Sequence, residues 1–200
     1  MSARTVRAKT RTTSIARILI WATFATLAAG VVVAIALSNR SVKPIDTEAP
    51  PFNPLAAGNA APPFSVATTR GPFTLADAKK PVFLEVFATW CPHCQRETAV
   101  INRLYDRYKQ QLDFVAVSGN QYANDRVSPE SLADVLGFAQ FFNVRYPIAY
   151  DGSLGVAKSY LQGGYPTIAI IGADKRISYI GSGEVGEGAL AFQIRRALQK

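Results

Sequence analysis

Val82-Phe83-Leu84-Glu85-Val86-Phe87-Ala88-Thr89-Trp90-Cys91-Pro92-His93-Cys94 is the stretch that decides the fold. Its first half, Val82 to Ala88, is rich in β-branched and aromatic residues and follows Pro81, so it reads as a central strand. Its second half opens a helix. Between Cys91 and Gln110, Val100, Leu104 and Tyr108 recur every four residues, with Ile101 and Tyr105 beside them on one face. The only two cysteines of the chain therefore sit three apart where strand gives way to helix. A helix N-terminus presents unpaired N–H groups and a positive dipole end, which stabilise a thiolate at Cys91. The single histidine, His93, lies between the cysteines and adds a donor or a positive charge. Thiolates attack disulfides, and Cys94, one turn further in, is placed to resolve the mixed disulfide that results.

Blander readings of the pair are weaker. A structural zinc site wants four ligands, and two cysteines with one constrained histidine fall short, so no metal is expected. A purely structural disulfide across so small a loop stabilises little. The expected redox group is the Cys91–Cys94 disulfide itself, with no separate cofactor. A second motif is a decoy: Gly181-Ser182-Gly183-Glu184-Val185-Gly186 matches the dinucleotide pattern, but only 14 residues follow it. That is too few for a return strand and a ribose-binding acid, so it reads as a flexible turn before the last helix.

Two acids stand out near the cysteines. Glu85 interrupts an apolar strand six residues before Cys91; if buried, its pKa rises and it becomes a proton acceptor near Cys94. The competing reading puts it at an exposed strand end, paired with Lys79 or Lys80. Glu97 lies three residues beyond Cys94 and four beyond His93, on one helical face with both.

Working outward, Phe64 to Leu75 reads as a hairpin around Thr68-Thr69-Arg70-Gly71, and Phe114 to Ser118 as a strand. Ser128-Pro129-Glu130 reads as a helix start with proline at the first position, followed by Leu132, Val135, Leu136 and Ala139 at helical spacing. Ile148–Tyr150 is a short strand and Ser153–Tyr160 a short helix. Thr167–Ile171 and Ile177–Gly181 flank a turn, and Leu190, Ile194 and Leu198 mark a final helix. This order predicts an α/β domain over residues 62–200: a mixed central sheet flanked by helices, with an N-terminal hairpin and a central insert.

The rest of the chain explains its charge. Seven of 22 basic residues lie in the first 43 positions and all 14 acids lie after them, leaving 15 bases against 14 acids from residue 44 onward. The net +8 belongs to the tail, which excludes a basic groove for nucleic acid. Residues 18–37 carry no charge, and a helix of that length spans roughly 30 Å, the thickness of a bilayer core. Five basic residues and no acid precede it, so residues 1–17 are expected to form a cytoplasmic basic tail, with everything after the span exported. A cleaved signal at Ala34-Ile35-Ala36 is the rival, but signal cores are shorter. Residues 38–61, interrupted by Pro44, Pro50, Pro51 and Pro54, read as a spacer.

With these residues in view, the chain resembles the membrane-anchored TlpA/ResA/DsbE-like thiol–disulfide oxidoreductases of the thioredoxin superfamily. The likeness runs from about Ala61 to Lys200. It is carried by Ala61-Pro62-Pro63-Phe64, by the strand before the cysteines, by Trp90-Cys91-Pro92-His93-Cys94, and by Tyr165-Pro166-Thr167 before a strand. The resemblance implies a thioredoxin-like fold, a cis Pro166 facing the sulfurs, and a role for Glu97 beside the active site. It also implies a substrate surface of Trp90, Pro92, Tyr165, Pro166 and Thr167. Protein thiols and disulfides would be the substrates, and a membrane redox partner would recycle the cysteines. Two departures matter: His93 is similar to the oxidising DsbA motif, and Tyr165 is bulkier than the aliphatic residue expected there.

The resulting expectation is a single-pass protein of the cytoplasmic membrane whose periplasmic or extracytoplasmic domain exchanges disulfides, as a reductase of the cytochrome c maturation kind. A DsbA-like oxidase is the first alternative. A non-catalytic tethered binding module and a copper or zinc carrier are rivals of other classes.

Overall fold

The computed structural model describes residues 12–39 and 54–199. The chain divides into two units, Met1–Phe52 and Asn53–Lys200. In the first, Thr12–Asn39 is a helix of 28 residues, α1. Among the described residues no helix is long and apolar enough to cross a membrane. The expected 18–37 span includes residues 18, 24, 32 and 35–37, whose side chains lie outside that description. The basic tail up to residue 11 and the spacer from 40 to 53 also lie outside the described residues.

The second unit is a seven-stranded mixed sheet with helices on both faces. Its strands are β1 (Ser65–Thr68), β2 (Gly71–Thr74), β3 (Val82–Phe87), β4 (Asp113–Ser118), β5 (Ile148–Tyr150), β6 (Thr167–Ile171) and β7 (Ile177–Ser182). Its helices are α2 (Pro92–Tyr108), α3 (Leu132–Phe141), α4 (Gly155–Tyr160) and α5 (Glu187–Leu198). The spatial order is β2-β1-β5-β4-β3-β6-β7. Strand β3 pairs parallel with β4 and antiparallel with β6, which makes it central, as its unbroken burial requires. The hairpin, the central strand and the mixed sheet expected from the sequence are all present.

Alternation along β3 and β4 sorts the core into two layers. Phe83, Phe87, Phe114 and Ala116 face α2, α3 and α5, meeting Ile101, Leu104, Val135, Phe138, Leu190 and Ile194. Leu84, Val86, Val115 and Val117 face the other way, onto Val156, Ala157 and Tyr160 of α4. Full burial of each large apolar side chain contributes roughly 1.5–3 kcal/mol, so these layers outweigh any single polar contact. By the same alternation Glu85 lies on the Phe83–Phe87 face, under α2.

Two boundaries differ from expectation, each for a physical reason. The helix expected at Ser128 begins at Leu132, because Ser131 caps it: its Oγ accepts from Asp134 N while the Asp134 carboxylate accepts from Ser131 N. Ser128 instead closes a turn on Asp125, and Glu130 is drawn inward. Residues 54–61, assigned to the spacer, join the domain. Gly58 N donates to Ile177 O at 2.7 Å, Ile177 N to Asn59 O at 2.9 Å, and Ala61 N to Lys175 O at 2.9 Å. Tyr160 Oη then holds Pro62 O at 2.5 Å.

Candidate active site

Cys91 is the N-cap of α2 and Pro92 follows in its first turn, where a missing N–H costs nothing. Cys91 N donates to Ala88 O at 3.1 Å, and Gln95 N to Cys91 O at 3.1 Å, which fixes the junction of strand and helix. Both cysteines are free thiols and both are buried. The Cys91 thiol reaches Tyr165 O at 3.6 Å. The Tyr165–Pro166 peptide bond is cis, as the resemblance implies. The sequence therefore brings two distant segments, 90–94 and 165–166, to one end of the sheet.

Cys94 lies deeper, with no exposed surface. Burial first, and then the charge of Glu85, holds its thiol well above the ordinary range. Glu85 is 3% exposed and its strand neighbours across the ladder are Ala116 and Ile168. Desolvation, followed by the charge of Glu97, pushes its carboxyl up to about 8, against the lowering effect of the Tyr146 hydroxyl. That hydroxyl donates to Glu85 Oε2 at 3.3 Å; Oε1 has no partner among the described residues. The exposed reading of Glu85, with Lys79 or Lys80 beside it, is thereby excluded.

Glu97 is 2% exposed, and burial raises its carboxyl to about 7. Val185 N donates to its Oε2 at 3.2 Å, and its Oε1 also lacks a partner. Two buried acids thus sit above the usual carboxylate range, Glu85 acting on the inner sulfur and Glu97 acting on Glu85, each with an oxygen that has no partner among the described residues.

His93 is turned outward. Its Nδ1 lies 2.6 Å from Glu184 Oε1 and 2.9 Å from Arg96 Nη2, and Arg96 Nε donates to the same Glu184 oxygen at 2.9 Å. These three exposed side chains form a cluster beside the first turns of α2, and the His93 Nδ1 is engaged within it. The Gly-rich stretch 181–186 ends β7 and turns into α5, where the sequence reading put a turn before the last helix. It delivers Glu184 to His93 and Val185 N to Glu97, one helical turn apart on α2.

Of the residues expected to form a substrate surface, Trp90, Pro92 and Tyr165 reach solvent. Trp90 stands edge-on to Tyr165, with ring centroids 5.9 Å apart, and Trp90 Nε1 donates to Asn120 Oδ1 at 2.8 Å. Tyr165 Oη donates to Gly119 O, so the bulky ring bridges to the loop after β4. Trp90, Tyr165, Asn120, Tyr122 and Leu161 line a groove of about 440 Å³. Pro92 is exposed and Pro166 buried. Thr167 departs from expectation: it is 1% exposed, donates to Gly164 O at 2.8 Å and accepts from Gln162 N at 3.1 Å. Its side chain fastens the loop under Pro166 and offers substrate no surface.

Sequence reasoning missed Glu130, Asn120 and Glu184. Glu130 directly follows Ser128-Pro129, which read as a helix start, and nothing in the neighbouring sequence marks it as buried. Among the described residues no group of three or more His, Cys, Asp or Glu side chains is placed to hold a metal ion.

Comparisons with known proteins agree with this geometry. The thiol-disulfide oxidoreductase ResA of Geobacillus kaustophilus is 32% identical over 132 residues, covering 64% of this chain and 71% of the relative. The chain spans about two thirds of the length of the curated relatives it matches. Among solved structures, a putative thiol:disulfide interchange protein DsbE from Chlorobium tepidum superposes with a TM-score of 0.63 at 24% identity, over 72% of this chain and 99% of that one. A thiol:disulfide interchange protein of the thioredoxin family, from Chlorobium tepidum TLS, superposes with a TM-score of 0.58 at 27% identity, over 72% of this chain and 98% of that one. The fold is thioredoxin-like. Residues 56–193 match the Redoxin family, and the chain belongs to it.

Proposed function

We propose that the chain is a thiol–disulfide oxidoreductase that reduces protein disulfides outside the cytoplasmic membrane. The observation that carries this reading is the pair of buried thiols, Cys91 at the helix N-cap beside Tyr165 O and Cys94 deeper, under the influence of the buried Glu85 carboxyl. Relatives named thiol-disulfide oxidoreductases support the same reaction class.

In the forward direction the Cys91 thiolate attacks one sulfur of a substrate disulfide. The substrate S–S bond breaks, its second sulfur leaves as a thiolate, and a mixed disulfide joins Cys91 to substrate. Cys94 then gives its proton to the Glu85 carboxylate and attacks Cys91 Sγ. The Cys91–Cys94 bond forms, the mixed disulfide breaks, and the substrate departs with both sulfurs as thiolates, which take up protons from solvent. Two electrons pass from the cysteine pair to the substrate disulfide. Tyr146 holds Glu85 on the Cys94 side, and Glu97 offers the proton a second carboxyl nearer Val185. Trp90, Tyr165 and Pro166 form the ledge against which extended substrate lies. A membrane partner returns the pair to the dithiol.

Export rests on the uncharged stretch 18–37 behind five basic residues, which on this reading anchors the chain with its N-terminus in the cytoplasm. Protease protection in sealed vesicles tests that topology directly: the domain is expected to be digested only from the exported side.

The oxidase alternative needs an unopposed imidazolium beside Cys91. His93 instead engages its Nδ1 with Glu184 Oε1 at 2.6 Å and Arg96 Nη2 at 2.9 Å in a surface cluster, which supports the reductase reading. The testing pair of variants is Cys91→Ser and Cys94→Ser. The first is expected to abolish reduction of a protein disulfide, and the second to accumulate substrate bound through Cys91. A tethered binding module would keep its function in both.

A further inference from the structure

Glu130 sits between β4 and α3 and takes no part in the sulfur chemistry above. It is nonetheless 4% exposed, and both oxygens of its carboxylate accept hydrogen bonds. Thr89 Oγ1 donates to Oε1 at 2.8 Å, Asn120 Nδ2 to Oε1 at 3.0 Å, and Ser118 Oγ to Oε2. Its main chain is tied as well: Glu130 N donates to Gln121 O at 2.9 Å, and Tyr150 Oη donates to Glu130 O at 2.8 Å. One residue therefore gathers the turn before α2, the end of β4, the loop after it and β5. Burying a carboxylate is unfavourable unless donors compensate it, so an acid held this completely serves a geometric purpose.

The network ends at the active site. Asn120 Oδ1 accepts from two N–H groups, Trp90 Nε1 and Tyr122 N, each at 2.8 Å. That fixes its amide orientation, so Asn120 Nδ2 must face an acceptor, and Glu130 Oε1 is that acceptor. The other donor to Oε1, Thr89, directly precedes Trp90. Arg126, at a positive φ of 60°, lays its guanidinium 4.8 Å from the Trp90 ring centroid. The indole is thus held by its N–H from one side, by a cation over its face, and by Tyr165 at its edge.

We propose that Glu130 is a positioning residue for disulfide exchange. Through Asn120 and Thr89 it fixes the Trp90 ring as a wall of the groove beside Cys91, and so sets how well protein substrate is held rather than how fast sulfur reacts. This rests on the reading that the groove takes protein disulfides. Asn120 is the relay, because removing it severs the indole from the carboxylate while leaving Thr89 and Ser118 bound.

The test uses the full chain carrying Trp21→Phe, which leaves Trp90 as the only tryptophan. Steady-state reduction of insulin disulfides, with dithiothreitol as reductant, is measured together with Trp90 fluorescence. Glu130→Ala and Asn120→Ala are each expected to raise KM about three- to tenfold, with kcat nearly unchanged and the Trp90 emission shifted. The double variant is expected to be no worse than either single one, since both cut the same link. Glu130→Gln is expected to restore KM and emission: its amide oxygen accepts from Asn120 and Thr89, and its NH2 donates to Ser118 Oγ. An unchanged KM and emission in Asn120→Ala, multiplying effects in the double variant, or a loss confined to kcat overturns the proposal. If Glu130→Ala fails to fold, Asn120→Ala and Glu130→Gln decide the matter alone. Cys91→Ser separates the two levels: retained turnover there sinks the exchange reading, whereas lost turnover with Asn120→Ala at parent KM sinks only the role of Glu130.

Discussion

Val185 N donates to Glu97 Oε2 across 3.2 Å, joining the active-site helix to a segment 88 residues further along the chain. The contact satisfies one oxygen of a buried carboxyl and leaves the other without a partner. Glu97 and Glu85 therefore share an unusual condition: each is easier to protonate in the folded protein than in the unfolded chain.

That condition sets the direction of the pH dependence. Glu97 is raised from 4.5 to about 7 and Glu85 from 4.5 to about 8, so the folded state binds more protons than the unfolded one between these values. The stability the two groups contribute is complete below about pH 4.5 and is lost as pH rises through 7 and 8, at roughly 1.4 kcal/mol per pH unit for each carboxyl. Urea unfolding of the reduced protein is expected to weaken from pH 5 to pH 8. Glu85→Gln and Glu97→Gln should each flatten that slope; a slope equal to the parent's in both would contradict the burial argument.

Kinetically, Glu85→Gln should act on resolution rather than on attack. Cys94 loses the buried carboxylate that acts on it, so decay of the mixed disulfide is expected to slow by about 10²-fold while its formation is little changed. Rapid-quench alkylation resolves the two steps. Slowed formation with normal decay would place the acid on the wrong sulfur.

Gly119 follows β4 at a close approach. A Cβ there would meet Ala157 Cβ and Val86 Cγ1 at 2.7 Å each, both buried. Gly119→Ala is expected to destabilise the domain by about 1–3 kcal/mol and to disturb the Tyr165–Gly119 hydrogen bond. Chemical denaturation checks it, and an unchanged midpoint would deny the tight seating of α4 on β3.

At α3, Ser131→Ala is expected to cost about 1 kcal/mol through loss of the cap. If instead Ser128 capped the helix, as its spacing before Pro129 and Glu130 implies, Ser131→Ala would leave the unfolding midpoint where it is.

What the sequence discloses follows the range of the interaction. The strand Val82–Phe87, the helix after Cys91 and the hairpin are legible because alternation, four-residue recurrence and proline act within a few positions. The cysteine pair is legible because its chemistry depends on neighbours in sequence. Burial of Glu85 is half-legible: an acid between Leu84 and Val86 marks an anomaly, but only the packing of α2 above it decides between buried and exposed. Glu130, Asn120 and Glu184 are illegible for one reason: their partners Thr89, Trp90 and His93 are 41, 30 and 91 residues away. A glycine-rich hexapeptide cannot announce that its acid meets a histidine across the fold, and a polar loop cannot announce which of its acids turns inward.

The central claim is that Cys91 and Cys94 interconvert reversibly between dithiol and disulfide at a reducing potential. Equilibration of the full chain in graded glutathione buffers, followed by acid quench, alkylation and mass measurement, tests it most directly. A single two-electron transition near the thioredoxin value of about −270 mV is expected. A transition near −120 mV would reverse the direction of electron flow, and a pair that forms no disulfide at any poise would contradict the account altogether.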